Sequence, residues 1–129
     1  GCFDVVHAGH VAYLREAANL GDVLVVGVNV DEEVAKQKGP ERPVYPLQQR
    51  LDILSEFRCI DYLVAFHEPT AHELIRAVQP DVYVKGGDYR PEEINEHDLV
   101  NELGLELQVL GHRPGLSSTS VIERMAQND

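Results

Sequence analysis

Apolar positions along the chain switch repeatedly between a helical and a strand-like spacing. Val11, Leu14, Ala17, Ala18 and Leu20 recur at helical intervals, and Gly21 is placed to stop that helix. Val23 to Asn29 is nearly continuous in apolar character, as buried parallel strands are. Asp31 to about Gln37 reads as a short polar helix, and residues 38–46, carrying Pro40, Pro43 and Pro46, as a loop. Leu47, Leu51 and Leu54 share one face of a helix running to Phe57, and Asp61 to Phe66 is the next strand. Thr70-Ala-His-Glu73 has the form of a capping box opening a helix to Val78, with Pro80 as its stop. Val82 to Lys85 is a short strand that runs into Gly86, Gly87 and Asp88. Pro91 suits a first helical position, which predicts a helix to Leu103 with Gly104 after it. Glu106 to Leu110 is a strand, residues 111–116 are a loop, and Ser117 or Ser118 caps a last helix to about Gln127.

Strands alternating with helices predict a doubly wound parallel α/β sheet. No repeat, linker or low-complexity tract interrupts it, so residues 1–129 are expected to form one domain. Such sheets bind ligands at the carboxyl ends of their strands, where loops meet helix N-termini. The chemistry-bearing clusters fall in such places, at residues 1–10, 29–42, 85–90 and 113–120. The first helix needs a strand before it. That predicts a first, central strand upstream of Gly1, in a chain that opens without Met and is expected to be cut from a longer polypeptide.

Composition narrows the function classes. The chain has 129 residues, 43% hydrophobic and 26% charged, which excludes disordered and collagen-like classes. Its 22 acidic residues against 11 basic ones give a net charge of −11, which repels polyanions and argues against nucleic-acid or anionic-membrane partners. The densest apolar run, Val23 to Val28, falls well short of the roughly 18 residues of a membrane span. Cys2 and Cys59 form no CxxC, so neither a disulfide framework nor a zinc site is expected, and the implied compartment is a reducing cytoplasm.

Within this acidic chain, several clusters suit an anion. In His7-Ala-Gly-His10 both imidazoles would lie at a helix N-terminus, where free amides and two donors suit phosphoryl oxygens, and Gly9 allows close approach. The plainer reading is a pair of surface histidines near a cap, and no third ligand at zinc spacing is present. Gly1-Cys2-Phe3-Asp4 looks like a strand-to-helix phosphate loop, with Asp4 orienting a histidine, helping to hold a divalent metal, or simply capping the helix. Lys85, Gly86, Gly87 and Asp88 combine charge, backbone access and an acceptor for a nucleotide; an ordinary turn explains them equally. Gly115-Leu-Ser-Ser-Thr-Ser120 has more hydroxyls than one cap requires, which favours a triphosphate on Ser117, Ser118 and Thr119. It is not a Walker loop. Lys36, Lys38, Arg42, Lys85, Arg90 and Arg113 lie in these loops and Arg50 just after one, which predicts a local positive pocket.

Taken in order, Gly-Cys-Phe-Asp-x-x-His-Ala-Gly-His, Val28-Asn-Val-Asp31, Pro46-Leu-Gln-Gln-Arg50, Val84-Lys-Gly-Gly-Asp-Tyr89 and Gly115-Leu-Ser-Ser-Thr119 resemble the cytidylyltransferase-type nucleotidyltransferases, members of the HxGH superfamily with a Rossmann-like sheet. The Lys-Gly-Gly-Asp-Tyr loop, with Pro91-Glu-Glu behind it, is most similar to the branch that adenylates D-glycero-β-D-manno-heptose 1-phosphate. That resemblance implies transfer of AMP from ATP to a sugar 1-phosphate with release of pyrophosphate, using Mg2+ and forming no covalent intermediate. It implies ADP-heptose and lipopolysaccharide biosynthesis. It further implies that His7 and His10 contact the triphosphate and stabilise the pentavalent transition state, with Lys38 neutralising charge from a loop. Cys2, Phe3, Asp4, Gly9 and Lys85 to Asp88 would line the nucleotide pocket, Arg50 would bind a phosphate, and Ser117, Ser118 and Thr119 would hold the outer phosphates. A sugar kinase, fused or separate, and a homo-oligomer are compatible partners.

The family's terminal motif usually reads Ser-Thr-Thr; here it is Ser117-Ser118-Thr119, and Ser118 keeps the hydroxyl. Rival readings are a cytidylyltransferase for glycerol 3-phosphate or another polyol phosphate, an FAD synthetase relative, and a nucleotide-binding regulatory domain without chemistry. An aminoacyl-tRNA synthetase fragment shares HxGH but would be larger and more basic. As triphosphate ligands, Ser118 and Thr119 should favour ATP over AMP. A Ser118→Ala, Thr119→Val double variant, titrated with both nucleotides, is expected to lose that preference; an unchanged ATP-to-AMP affinity ratio with a lowered Tm would assign them to helix capping alone.

Overall fold

The computed structural model describes residues 1–87, 89–110 and 118–127, the last segment without the side chains of 118–120 and 127. Helix α1 (Ala8–Ala18) leads into strand β1 (Val25–Asn29). Helices α2 (Asp31–Lys38) and α3 (Leu47–Ser55) then carry the chain over to β2 (Tyr62–Phe66). Helix α4 (His72–Val78) connects β2 to β3 (Val82–Gly86), and α5 (His97–Glu102) connects β3 to β4 (Glu106–Leu110), before α6 (Ser118–Gln127). Alternating strands and helices with parallel pairing make this the α/β, Rossmann-like architecture that the hydrophobic pattern predicts.

The described strands form two parallel pairs. β1 pairs with β2 with Val26 opposite Leu63, and β3 pairs with β4 with Val84 opposite Gln108. Each pair has its own core. Under β1 and β2, Leu14, Val26, Val28 and Leu54 are buried together with Phe3. Under β3 and β4, Ala71, Ile75, Leu99 and Val100 close a second cluster against Tyr83 and Leu107. Between the pairs, Gly27 and Asn29 turn away from β2. Gly1 occupies that free edge: its nitrogen donates to Gly27 O at 2.8 Å, and its carbonyl accepts from Asn29 N at 2.9 Å. These are the slanted bonds of a parallel ladder. A cavity of about 1550 Å³ runs between the pairs and up to the carboxyl ends of β1 and β3.

Two helix boundaries differ from expectation. The predicted helix from Pro91 to Leu103 is broken: a single 3-10 turn (Pro91–Glu93) ends at Ile94, whose ψ of 130° is extended, and α5 starts three residues later. Breaking the helix buries both Ile94 and Glu96. Glu96 Oε1 then accepts from Ala71 N at 3.0 Å, at the start of α4. The expected capping box from Thr70 is therefore absent. Ala71 is the N-cap, and the Thr70 hydroxyl sits 2.6 Å from His72 Nδ1. A carboxylate from another element holds the N–H of the N-cap residue, and no side chain caps the first turn of α4.

Arg50 fastens the carboxyl end of the first strand pair. Its side chain is wholly buried within α3. Nη1 donates to Cys2 O and Asn29 O, both at 2.7 Å, Nε donates to Tyr45 O at 3.0 Å, and Nη2 reaches Asp31 Oδ1 at 2.6 Å. Charge-assisted bonds of this kind are strong, and a buried acceptor deprived of its donor costs about 1–3 kcal/mol. Asp31 remains half-exposed and regains water, so three carbonyls set the cost. Arg50→Met is expected to destabilise the protein by roughly 3 kcal/mol or more, read from the urea midpoint at constant m. A loss below about 1 kcal/mol would show that water replaces the guanidinium.

Candidate active site

The site is built around the N-terminus of α1. Phe3 adopts φ 50°, an uncommon region for a bulky residue, so the chain reverses sharply between β1's edge and the helix. The reversal buries the Phe3 ring 5.5 Å from that of His10 and sends the Asp4 carboxylate the other way. His7 is the N-cap of α1. Its Nδ1 accepts from Gly9 N at 3.0 Å, while His10 Nδ1 accepts from His7 N at 3.2 Å. This is a capping box made of two histidines.

That arrangement sets their protonation. An Nδ1 that accepts a backbone N–H carries no proton, so each neutral ring bears its hydrogen on Nε2. Burial lowers the pKa of both rings. For His10, with the neighbouring His7 adding to the effect, it falls to about 4. At neutral pH the site therefore presents two uncharged N–H donors, ring centroids 4.1 Å apart, at the positive end of a helix dipole.

Cys2, Phe3, Asp4, His7, Gly9, His10, Lys38, Lys85, Gly86 and Gly87 all line the one cavity. The end of β3 faces α1 across it: a Cβ on Gly86 would stand 3.1 Å from the Tyr13 ring, so a side chain there would press on the ring. Gly87, at φ 125°, turns the chain so that Tyr89 folds back, with Lys85 Nζ 5.9 Å from its ring centre. The Cys2 thiol points toward Asn29 Oδ1 and Gln37 Oε1. Asp88 and Ser117 lie outside the described residues, as do the side chains of Ser118 and Thr119; the backbone of the latter two forms the first turn of α6.

Three expectations take a different form. Arg50 points into the protein, and four acceptors hold it where a phosphate would have to displace the fold itself. Asp4 neither orients a histidine nor caps α1. Oδ2 accepts from Arg42 Nε at 2.7 Å and Val44 N at 2.8 Å, and Oδ1 accepts from Tyr45 N at 2.9 Å. Burial raises its pKa, but the bonds from Tyr45, Arg42 and Val44 outweigh burial and hold it below the usual carboxylate range. The positive pocket is also narrower than the loop count suggests. Lys36 and Arg90 are exposed beside Glu33 and Glu93, and of the described basic residues Lys38, Arg42 and Lys85 line the cavity. Arg42, expected in the positive pocket, lines it paired to Asp4, a partner that nothing local in the sequence indicates because it lies 38 positions away.

No three His, Cys, Asp or Glu side chains cluster as a metal site among the described residues. With both oxygens engaged by three donors, Asp4 does not fit the role of a magnesium ligand. No described helix is long and apolar enough to cross a membrane.

A parallel sheet with donors at the first helix N-terminus places the molecule among Rossmann-like α/β domains. The cytidylyltransferase-like family model matches residues 1–124, and the chain belongs to that family. It is 47% identical over its whole length to the Bifunctional protein HldE of Chromohalobacter salexigens, and 49% identical over 97% of its length to that of Alkalilimnicola ehrlichii. It spans about a quarter of the length of these relatives, 27% and 26%. Among solved structures, a lipopolysaccharide core biosynthesis protein from Thermoplasma volcanium superposes with a TM-score of 0.73 at 28% identity, covering 88% of this chain and 93% of that one.

The depressed histidine pKa has a consequence for stability. A group with a lower pKa folded than unfolded contributes stability that is intact above the unfolded value, about 6.5. That stability is lost as pH falls from there toward about 4 for His10. His10→Gln keeps an acceptor for His7 N but removes the titration. The variant's Tm is expected to fall less than the wild type's between pH 6.5 and 4. Parallel curves would show that His10 does not titrate in this window.

Proposed function

We propose that this domain transfers AMP from ATP to D-glycero-β-D-manno-heptose 1-phosphate, releasing pyrophosphate and forming ADP-heptose. The observation that carries the reading is the pair of neutral imidazoles at the N-terminus of α1, facing the Gly86-Gly87 loop and Lys85 across one cavity. Attack by the sugar phosphate oxygen on the α-phosphorus forms one P–O bond and breaks the bond to the β-phosphate, so charge grows on pyrophosphate. The reaction needs no general base, because a sugar phosphate is already ionised. It needs positioning and donors aimed at the leaving oxygens. His7 and His10 supply those donors through Nε2–H, with Lys38 and Lys85 adding charge. Ser118 and Thr119, in the first turn of α6, would hold the outer phosphates.

The heptose branch is favoured by Lys85-Gly-Gly-Asp-Tyr89 with Pro91-Glu-Glu93, by the HldE relatives and by the Thermoplasma neighbour. A further parallel strand between β1 and β3 would complete the sheet. The word "bifunctional" in the relatives' name, and their extra length, support a second catalytic domain such as a sugar kinase. We place the reaction in the cytoplasm.

A base pocket that hydrogen-bonds adenine leaves polar groups unmatched with cytosine. With magnesium and the heptose 1-phosphate, ATP is expected to release pyrophosphate at least ~10-fold faster than CTP, about 1.4 kcal/mol of discrimination. Glycerol 3-phosphate should give little with either nucleotide. If CTP with glycerol 3-phosphate is the best pair, a polyol-phosphate cytidylyltransferase replaces this reading.

A further inference from the structure

We propose that Asp4 is a positioning residue, a buried anchor that draws residues 42–45 onto the base of α1 and thereby holds Lys38 at the cavity. The inference rests on the transfer reaction proposed above, to which it adds the device that sets the loop. Asp4 is wholly buried, and its two oxygens take three donors from a four-residue stretch: Arg42 Nε, Val44 N and Tyr45 N. Two of these are backbone amides, so the carboxylate fixes the course of the chain itself. Three residues after Asp4 stands His7, the N-cap of α1. The anchor and the imidazole pair are thus parts of one rigid turn.

The loop is held at both ends. At its start, Lys38 closes α2, and Gly39, at φ 111°, reverses the chain, with Gly39 N on Ala35 O and Arg42 N on Gly39 O. At its end, Tyr45 is gripped on both sides, its N–H by Asp4 and its carbonyl by Arg50. Only residues 39–41 separate Lys38 from the anchored stretch, a span too short to relax independently. The buried carboxylate therefore ties residues 42–45 directly to the turn that opens the histidines' helix, beside the Arg50 guanidinium, which holds Cys2 O and Tyr45 O from within. An amide at position 4 keeps one acceptor oxygen and turns an NH2 group toward a remaining donor, so Asn cannot satisfy all three.

Two readouts test this on the full-length protein. Trypsin cleavage after Lys38 under native conditions reports loop opening without reference to catalysis. Asp4→Asn and Arg42→Gln should both raise that rate at temperatures matched to each variant's Tm. Should Asp4→Asn fail to fold, Arg42→Gln, at the less buried end of the pair, carries both arms. In kinetics with ATP and the sugar 1-phosphate, kcat should fall by up to about 10²-fold, the cost of a small misplacement, with the KM for ATP changed much less. In a Lys38→Ala background the same substitution should add less than about 3-fold, because the lysine it positions is gone. Unchanged cleavage in the variants, or effects on kcat that multiply fully with Lys38→Ala, would overturn the anchor. If the wild-type protein transfers no nucleotide, the reaction reading fails, while the cleavage rates still decide whether Asp4 holds the loop.

Discussion

One buried guanidinium joins the parts on which everything else is built. Arg50 leaves α3 and donates to the carbonyls of Cys2 and Asn29, to that of Tyr45 and to the carboxylate of Asp31. A cation taken out of water is costly unless its donors are matched, and here four acceptors from four segments converge on it. The turn before α1, the end of β1, the start of α2 and the loop into α3 are all held to the same point. A family likeness makes such an arginine look like a phosphate ligand. Its burial makes it the clamp that sets the segments around the cavity.

The site built on this clamp resolves a conflict in the chain's electrostatics. With a net charge of −11, the protein as a whole repels anions, yet Lys38, Arg42 and Lys85 gather on one cavity beside the two histidines. The attraction is local and directional. Two imidazole N–H groups, Lys38 and Lys85 line the same cavity, where a local field outweighs distant surface carboxylates that salt screens. Keeping the histidines neutral has its own logic. A pair of imidazolium ions with centroids 4.1 Å apart would repel each other, whereas neutral rings donate without that cost.

The elements themselves were legible because their causes are local. Near-continuous apolar runs place β1 and β2 within two residues of expectation, and Leu47, Leu51 and Leu54 place α3. What failed to be legible has a distant cause. Nothing between Pro91 and Leu103 forbids a continuous helix; it breaks where Ile94 and Glu96 are buried, with Glu96 accepting from Ala71 N, 25 residues away at the head of α4. The Thr70 hydroxyl meets His72 Nδ1 in place of the capping role its sequence context suggests.

By itself the sequence determined the parallel α/β order, the helix start at the two histidines, and the gathering of chemistry at the carboxyl ends of strands. Each follows from residues within a turn or a strand of one another: His7 and His10 are one helical turn apart and cap each other. Tertiary structure alone decided what the charged residues do. Asp4 meets its donors 38 to 41 positions away, and Arg50 meets Cys2 across 48. A carboxylate or guanidinium is equally at home in water, on a substrate or in a buried network. Its role is set by which partners surround it once water is removed, and only the packed fold brings those partners together.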